Sequence, residues 1–141
     1  MTGPRILLVF HSGEGHTEAV ANHIARRLRE GSATVDVHDS SDAPAPKGYD
    51  GAVLGGSIHA DHHSRSLRTY AHRHATELAA TTSALFQVSL TSATRDALHD
   101  DKAREYVSEL REQSGWDPDL VGLFGGALAY TKYGWAKRHL M

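Results

Sequence analysis

The stretch Ile6-Leu7-Leu8-Val9-Phe10-His11-Ser12-Gly13-Glu14-Gly15-His16-Thr17 changes character halfway, and that change decides the fold. Its first five residues are an uninterrupted apolar run, as a strand covered on both faces requires. A polar segment with two glycines, His11 to Thr17, follows at once. Beyond it Val20, Ala21, Ile24, Ala25 and Leu28 form one apolar stripe at helical spacing. Gly31 then falls where a helix C-terminal cap is expected.

The same alternation continues outward. Val35 and Val37 predict a short second strand, and Asp39 to Gly48, broken by Pro44 and Pro46, predicts a loop. Ala52 to Ser57 reads as a short buried strand. A helix is expected through Leu67, Tyr70, Ala71, His74 and Leu78, and a strand over Ala84 to Leu90. Ala103, Tyr106, Val107 and Leu110 mark another helix, and Leu120 to Phe124 a last strand before Gly125-Gly126. The order β-α-β-β-α-β-α-β, with long crossovers between buried strands, implies an α/β fold: a five-stranded parallel sheet with right-handed connections and helices on both faces. No repeat, low-complexity tract or linker divides it, so residues 1–141 read as a single domain. A fifth strand normally leads into a closing helix. Leu128 to Met141 is too short and too aromatic for one, and the expectation is a fragment lacking its final helix.

Composition narrows the function. The chain has 141 residues, 40% hydrophobic and 23% charged, ordinary for a globular domain. Its formal charge of −2 offers nucleic acid no general attraction. With no cysteine there is no thiol nucleophile, disulfide, iron–sulfur cluster or thiolate zinc site, and the composition leans towards the cytoplasm. No leader pattern precedes the first strand, and no apolar run approaches the roughly 20 residues of a membrane span, so membrane contact is expected to be peripheral. Nothing in the sequence indicates an oligomeric state.

In a parallel sheet the ligand crevice lies beyond the carboxyl ends of the strands. Gly13 and Gly15 let the first loop bend tightly, Ser12 and Thr17 offer hydroxyls, and the loop amides with the helix start suit a phosphate. By itself the loop reads equally well as a glycine turn with Thr17 as a helix cap. It is neither Gly-x-Gly-x-x-Gly nor a Walker loop, which argues against a dinucleotide or a nucleoside triphosphate. Two further strand ends, Gly55-Gly56-Ser57-Ile58-His59 and Ser89-Leu90-Thr91-Ser92-Ala93, bring small and hydroxyl residues to the same edge. Three such loops suit a flat ligand with a phosphate tail.

On these residues the chain resembles flavodoxin, and more closely the bacterial menaquinone-dependent protoporphyrinogen IX dehydrogenases, flavodoxin-like FMN enzymes of haem synthesis. The resemblance rests on the Ser12-to-Thr17 loop, Gly55-x-Ser57-Ile58 with His62, His74-Ala75-Thr76 and Trp116-x-Pro118-Asp119. It is most specific at Gly126-Ala127-Leu128 followed by Tyr130, Tyr133 and Trp135. It implies a flavodoxin-like three-layer sandwich, FMN as cofactor, a porphyrinogen substrate and a membrane quinone as acceptor, at the inner face of the cell membrane. FMN contacts are expected from Ser12, Gly13, Glu14, Gly15, His16 and Thr17 at the phosphate, and from Ser57, Ile58, His59, Ala60, Ser89, Leu90, Thr91 and Ser92 beside the ring. Two segments depart from the family. Glu14 puts a carboxylate beside the phosphate, repulsive unless it turns away or accepts bonds from the helix amides. His59-Ala60 stand where members carry arginine and tyrosine, so an aromatic stack on the isoalloxazine requires His59 to substitute.

His59, His62 and His63 flank Asp61, a composition that suits a borderline metal. They fall in a loop without helical register, and no second ligand cluster accompanies them, so the expectation is a solvated loop and no metal. His62 is the exception, placed by the resemblance where it would touch substrate. Tyr130, Lys132, Tyr133, Trp135, Lys137 and Arg138 combine aromatic surface with cations, suited to an acidic porphyrin or a membrane interface. No side chain stands out as an acid, base or nucleophile. The alternatives are a flavodoxin proper that shuttles electrons between partners, disfavoured by the small net charge, and a flavin-free binding module, for which Glu14 and Ala60 speak.

Overall fold

A computed structural model describes residues 3–11, 15–60, 62–89 and 97–124 of the chain. The apolar run forms β1 (Arg5–Phe10). Its side chains part by the two-residue period of a strand, Leu7 and Val9 into one buried cluster and Leu8 and Phe10 into another. There follow α1 (Gly15–Glu30), β2 (Thr34–Asp39), β3 (Gly51–Ser57), α2 (Arg65–Arg73), α3 (Ala75–Ala79), β4 (Thr82–Val88), α4 (Ala97–Ser114) and β5 (Leu120–Phe124). The five strands make one sheet in the order β2-β1-β3-β4-β5, parallel at every pairing. The strand order therefore reverses direction between β1 and β3, which marks the crevice position in such sheets.

Helices cover the sheet on both sides. Leu67, Tyr70, Leu78, Val107 and Leu110 from α2, α3 and α4 pack on Leu7, Val9, Leu54 and Leu85. Trp116 closes the same cluster, 1% exposed, its Nε1 donating to Ser83 Oγ at 2.9 Å. On the opposite face Val20, Ala21 and Ala25 of α1 pack on Leu8, Phe10, Val35 and Phe86.

Two local readings change. Helix α1 does not end on Gly31 as its left-handed residue. Ser32 occupies that position at φ 78°, with Ser32 N donating to Arg29 O at 3.0 Å and Ala33 N to Leu28 O at 3.1 Å. This is the paired bond pattern of a Schellman turn, one residue later than the glycine suggests. The helix expected through Leu67 to Leu78 is two helices, parted at His74 (φ −111°, ψ 21°). That imidazole tilts against Tyr70, centroids 4.5 Å apart, and its Nδ1 lies 2.8 Å from Glu77 Oε1. Leu78 stays in the same cluster after the break, so the apolar period hides it. Gly55 and Gly56 lie within β3, as the reading of Ala52 to Ser57 as a strand has it. A Cβ on Gly55 would fall 2.0 Å from the Phe86 ring, so this glycine is required by packing. Segment 125–141, with the expectation about Leu128 to Met141, lies outside the described residues.

Candidate functional site

The carboxyl ends of four strands meet through single backbone bonds just past their last residues. His11 N donates to Gly55 O at 3.2 Å, Ile58 N to Val88 O at 2.9 Å and Ser89 N to Phe124 O at 3.0 Å. The exits of β1, β3 and β4 therefore lie side by side, and Ile58 and Ser89 of the expected ring-flanking residues come together there. Ser57 and Ile58 are half-buried, Ser89 is buried, and His59 and Ala60 are exposed. Ser12, Gly13, Glu14, Leu90, Thr91, Ser92, Tyr130, Lys132, Tyr133, Trp135, Lys137 and Arg138 lie outside the described residues.

Helix α1 starts at Gly15; His16 is exposed and Thr17, one position on, is fully buried. Among the described residues Thr17 Oγ1 has no hydrogen-bond partner. A buried hydroxyl left unpaired costs about 1–3 kcal/mol, and native structures rarely tolerate it without a purpose. It sits in the first turn, where the unpaired amides and the helix dipole favour an anion. The geometry therefore suits a phosphate oxygen accepting from Oγ1.

After β3 the chain makes a tight turn. His59 N donates to His62 O at 2.9 Å and His62 N to His59 O at 3.1 Å, with Ala60 between them at φ 53°. An alanine in the left-handed region is strained, and the turn is held from outside by side chains. His62 Nδ1 lies 2.9 Å from Glu109 Oε1 on α4, an exposed contact that becomes an ion pair when the imidazole is protonated. His62 is thus tied to α4 at the rim of the site.

The expectation of a solvated histidine loop fails at His63, which is only 3% exposed. Its Nε2 lies 2.8 Å from Gln87 Oε1, and Gln87 Nε2 donates to Ala103 O at 3.0 Å. The carbonyl of Ala103 can only accept, so the Gln87 amide must turn its NH2 to α4 and its oxygen to His63. His63 therefore carries its proton on Nε2, and its bare Nδ1 is buried without a partner among the described residues. Burial pushes this imidazole down to about 4; the Gln87 bond and Glu109 oppose that shift, and Arg68 adds to it. The ring is neutral at physiological pH. The signal that could have found it is Gln87, a polar residue inside the apolar run Ala84 to Leu90, which once buried demands a partner.

A second polar strip borders the crevice on the β2 side. Ser40 Oγ and Ser66 Oγ are 2.6 Å apart, and His11 Nδ1 is 3.4 Å from Ser66 Oγ. Ser64 caps α2 by accepting from Leu67 N at 3.2 Å. Among the described residues no group of three or more His, Cys, Asp or Glu side chains is placed to hold a metal ion. No described helix is long and apolar enough to cross a membrane.

Comparison with known proteins adds to this geometry. A family model described as Flavodoxin domain matches residues 7–141. The chain is 35% identical over 141 residues to a Leishmania major protein named protoporphyrinogen IX dehydrogenase [quinone], covering 98% of this chain and 61% of that protein. It is 28% identical over 139 residues to a protein of the same name from Escherichia coli strain K12, covering 97% and 76%. The chain thus spans less than two thirds of the length of the Leishmania relative. Among solved structures, oxidised Flavodoxin 1 of Bacillus cereus superposes with a TM-score of 0.57 at 19% identity, over 96% of this chain and 92% of that one. A flavodoxin of Streptococcus pneumonia TIGR4 gives 0.61 at 17% identity over the same shares. These structural likenesses bear on the three-layer α/β fold alone.

Proposed function

From the membership of this chain in the flavodoxin domain family, we propose that it holds FMN at the carboxyl edge of its sheet and oxidises protoporphyrinogen IX, with menaquinone as electron acceptor. The observation that carries the cofactor reading is Thr17 Oγ1, buried in the first turn of α1 with no partner among the described residues. The substrate reading is supported by the names of the relatives at 35% and 28% identity. Bound FMN supplies the hydride and electron chemistry, and the task of the chain is to bind, orient and shield. Thr17 and the Ser12-to-Gly15 segment hold the phosphate. The Ser57-to-Ala60 and Ser89-to-Ser92 segments flank the ring, and His62 borders the substrate. Lys132, Lys137 and Arg138 offer cations to porphyrin propionates or to an anionic membrane surface, and Tyr130, Tyr133 and Trp135 offer apolar area.

The purified full-length protein should be yellow, release FMN on heating, and form fluorescent protoporphyrin when given the porphyrinogen and a menaquinone analogue. Thr17→Val is the sharper test because its two effects have opposite signs. Removing an unpaired buried hydroxyl should raise apoprotein stability by about 1 kcal/mol. Losing a donor to a charged phosphate should weaken FMN binding by at least roughly tenfold. Unchanged affinity in a fluorescence titration would take Thr17 out of the site. Deleting residues 130–138 should leave FMN loading intact while porphyrinogen turnover and sedimentation with anionic liposomes fall. Full turnover by the deletion variant would reduce that segment to a connector.

A further inference from the structure

We propose that His63 is the positioning residue of the cofactor edge: as a neutral imidazole donating from Nε2 to Gln87, it holds in place the turn bridged by His59 and His62, and protonation releases that turn and the flavin with it. The proposal rests on the flavin reading above and adds a regulator to it. Three separate elements are joined by one line of donors, from His63 at the end of the turn to Gln87 on β4 and on to Ala103 on α4. These residues are 24 and 16 positions apart in sequence, so no local turn geometry replaces the link.

The surroundings of the other ring nitrogen turn this link into a switch. Among the described residues Nδ1 is buried without a partner, and the space beside it is bounded by Gly56. A Cβ on Gly56 would lie 4.0 Å from His63 Nδ1 and 3.8 Å from His11 Cβ. A proton on Nδ1 would thus create a buried N–H with no acceptor. Among the described residues the charged groups facing the ring are Glu109 from α4, which favours the imidazolium, and Arg68 from α2, which disfavours it. His11 lies across the Gly56 space from the end of β1, and Gln87 faces the ring from β4. Burial outweighs the favourable groups and holds the imidazole near 4, so a protonated ring must leave the core. Its neighbour His62 is fixed to Glu109 and Ala60 is already at φ 53°, so the turn has little slack with which to absorb that movement. Ile58 and His59 would be displaced from the β4 exit together.

The test is the FMN dissociation constant, by fluorescence quenching with the full-length protein, from about pH 7.5 to about pH 4. It compares wild type, His63→Gln and His63→Leu. A glutamine places its amide NH2 near the imidazole Nε2, so it keeps the donor to Gln87 and cannot titrate. His63→Gln should bind within roughly threefold of wild type at the upper pH. Wild type should lose at least roughly tenfold more affinity than His63→Gln at the lower pH. The phosphate's own proton acts on both proteins and cancels in their ratio. His63→Leu, which leaves Gln87 Oε1 unpaired, should bind at least roughly tenfold more weakly throughout; if it does not fold, the His63→Gln profile decides. Parallel pH profiles for wild type and His63→Gln overturn the proposal and leave the flavin reading standing. So does a folded His63→Leu that loads like wild type. A wild-type protein that does not quench FMN at the upper pH overturns both.

Discussion

Two turns among the described residues place a residue other than glycine in the left-handed region, and they are secured in different ways. The α1–β2 turn, at the amino edge of the sheet, carries Ser32 at φ 78° and is closed by backbone bonds to Arg29 and Leu28. The β3–α2 turn, at the carboxyl edge, carries Ala60 at φ 53°. It has its own backbone bridge, yet His62 and His63 also fasten it to Glu109 and Gln87, 47 and 24 residues away. A connection that only reverses the chain is made by its own few residues. A connection at the candidate site is fixed to distant elements, at the cost of burying an imidazole and an amide in the core. The extra anchoring is spent where position matters to a ligand.

The largest expected effect breaks the distant anchor. Gln87→Leu leaves His63 Nε2–H without a partner, takes the second donor from Ala103 O, and should cost roughly 2–3 kcal/mol of stability in urea denaturation. A loss below about 1 kcal/mol would put the β3–α2 turn on the same local footing as the α1–β2 turn. Acid comes next. His63 is held near 4 in the fold against an ordinary 6.5, so between these values the unfolded chain binds the proton and the fold does not. Its contribution is fully present above 6.5 and is lost as pH falls towards 4. Wild type should therefore lose about 2 kcal/mol more than His63→Gln between about pH 7 and about pH 5. Equal slopes would mean the ring is not buried neutral. The smallest effect measures the strain in the two turns. Ser32→Gly and Ala60→Gly should each gain about 0.5–1 kcal/mol, and only the second should alter FMN affinity. A gain at Ser32 without one at Ala60 would show that the side-chain anchors already hold the turn at no local cost.

The fold was legible because each element is marked by short-range periodicity. The run Ile6 to Phe10, the stripe Val20 to Leu28 and the alternation that follows give the parallel sheet, and the structure places all five strands where the apolar runs lie. The glycine at 31 points to the correct end of α1, but the backbone uses Ser32, because a Schellman turn is set by which carbonyls remain unpaired. The break at His74 stayed hidden because Leu78 keeps to the same face. At the site, Thr17 was legible as a candidate, whereas its buried, unpaired state follows only from packing. The histidine loop misled for the opposite reason. Three near neighbours look alike in sequence, yet His59 and His62 are exposed and His63 is sealed, and only the contact with Gln87 separates them.

Gly55 and Phe86 face each other across β3 and β4, and the ring occupies the space a side chain at 55 would need. Neither position is free to vary alone. A methyl group at 55 requires a smaller residue at 86, and a ring at 86 requires a bare backbone at 55, so the two form one heritable unit spread over two strands. Phe86 in turn meets Phe124 edge-on, centroids 6.4 Å apart, which extends the dependence to β5. Among natural variants, substitution at 55 should be found only in company with a change at 86, and a library that randomises the carboxyl edge one position at a time would discard both halves of a compatible pair.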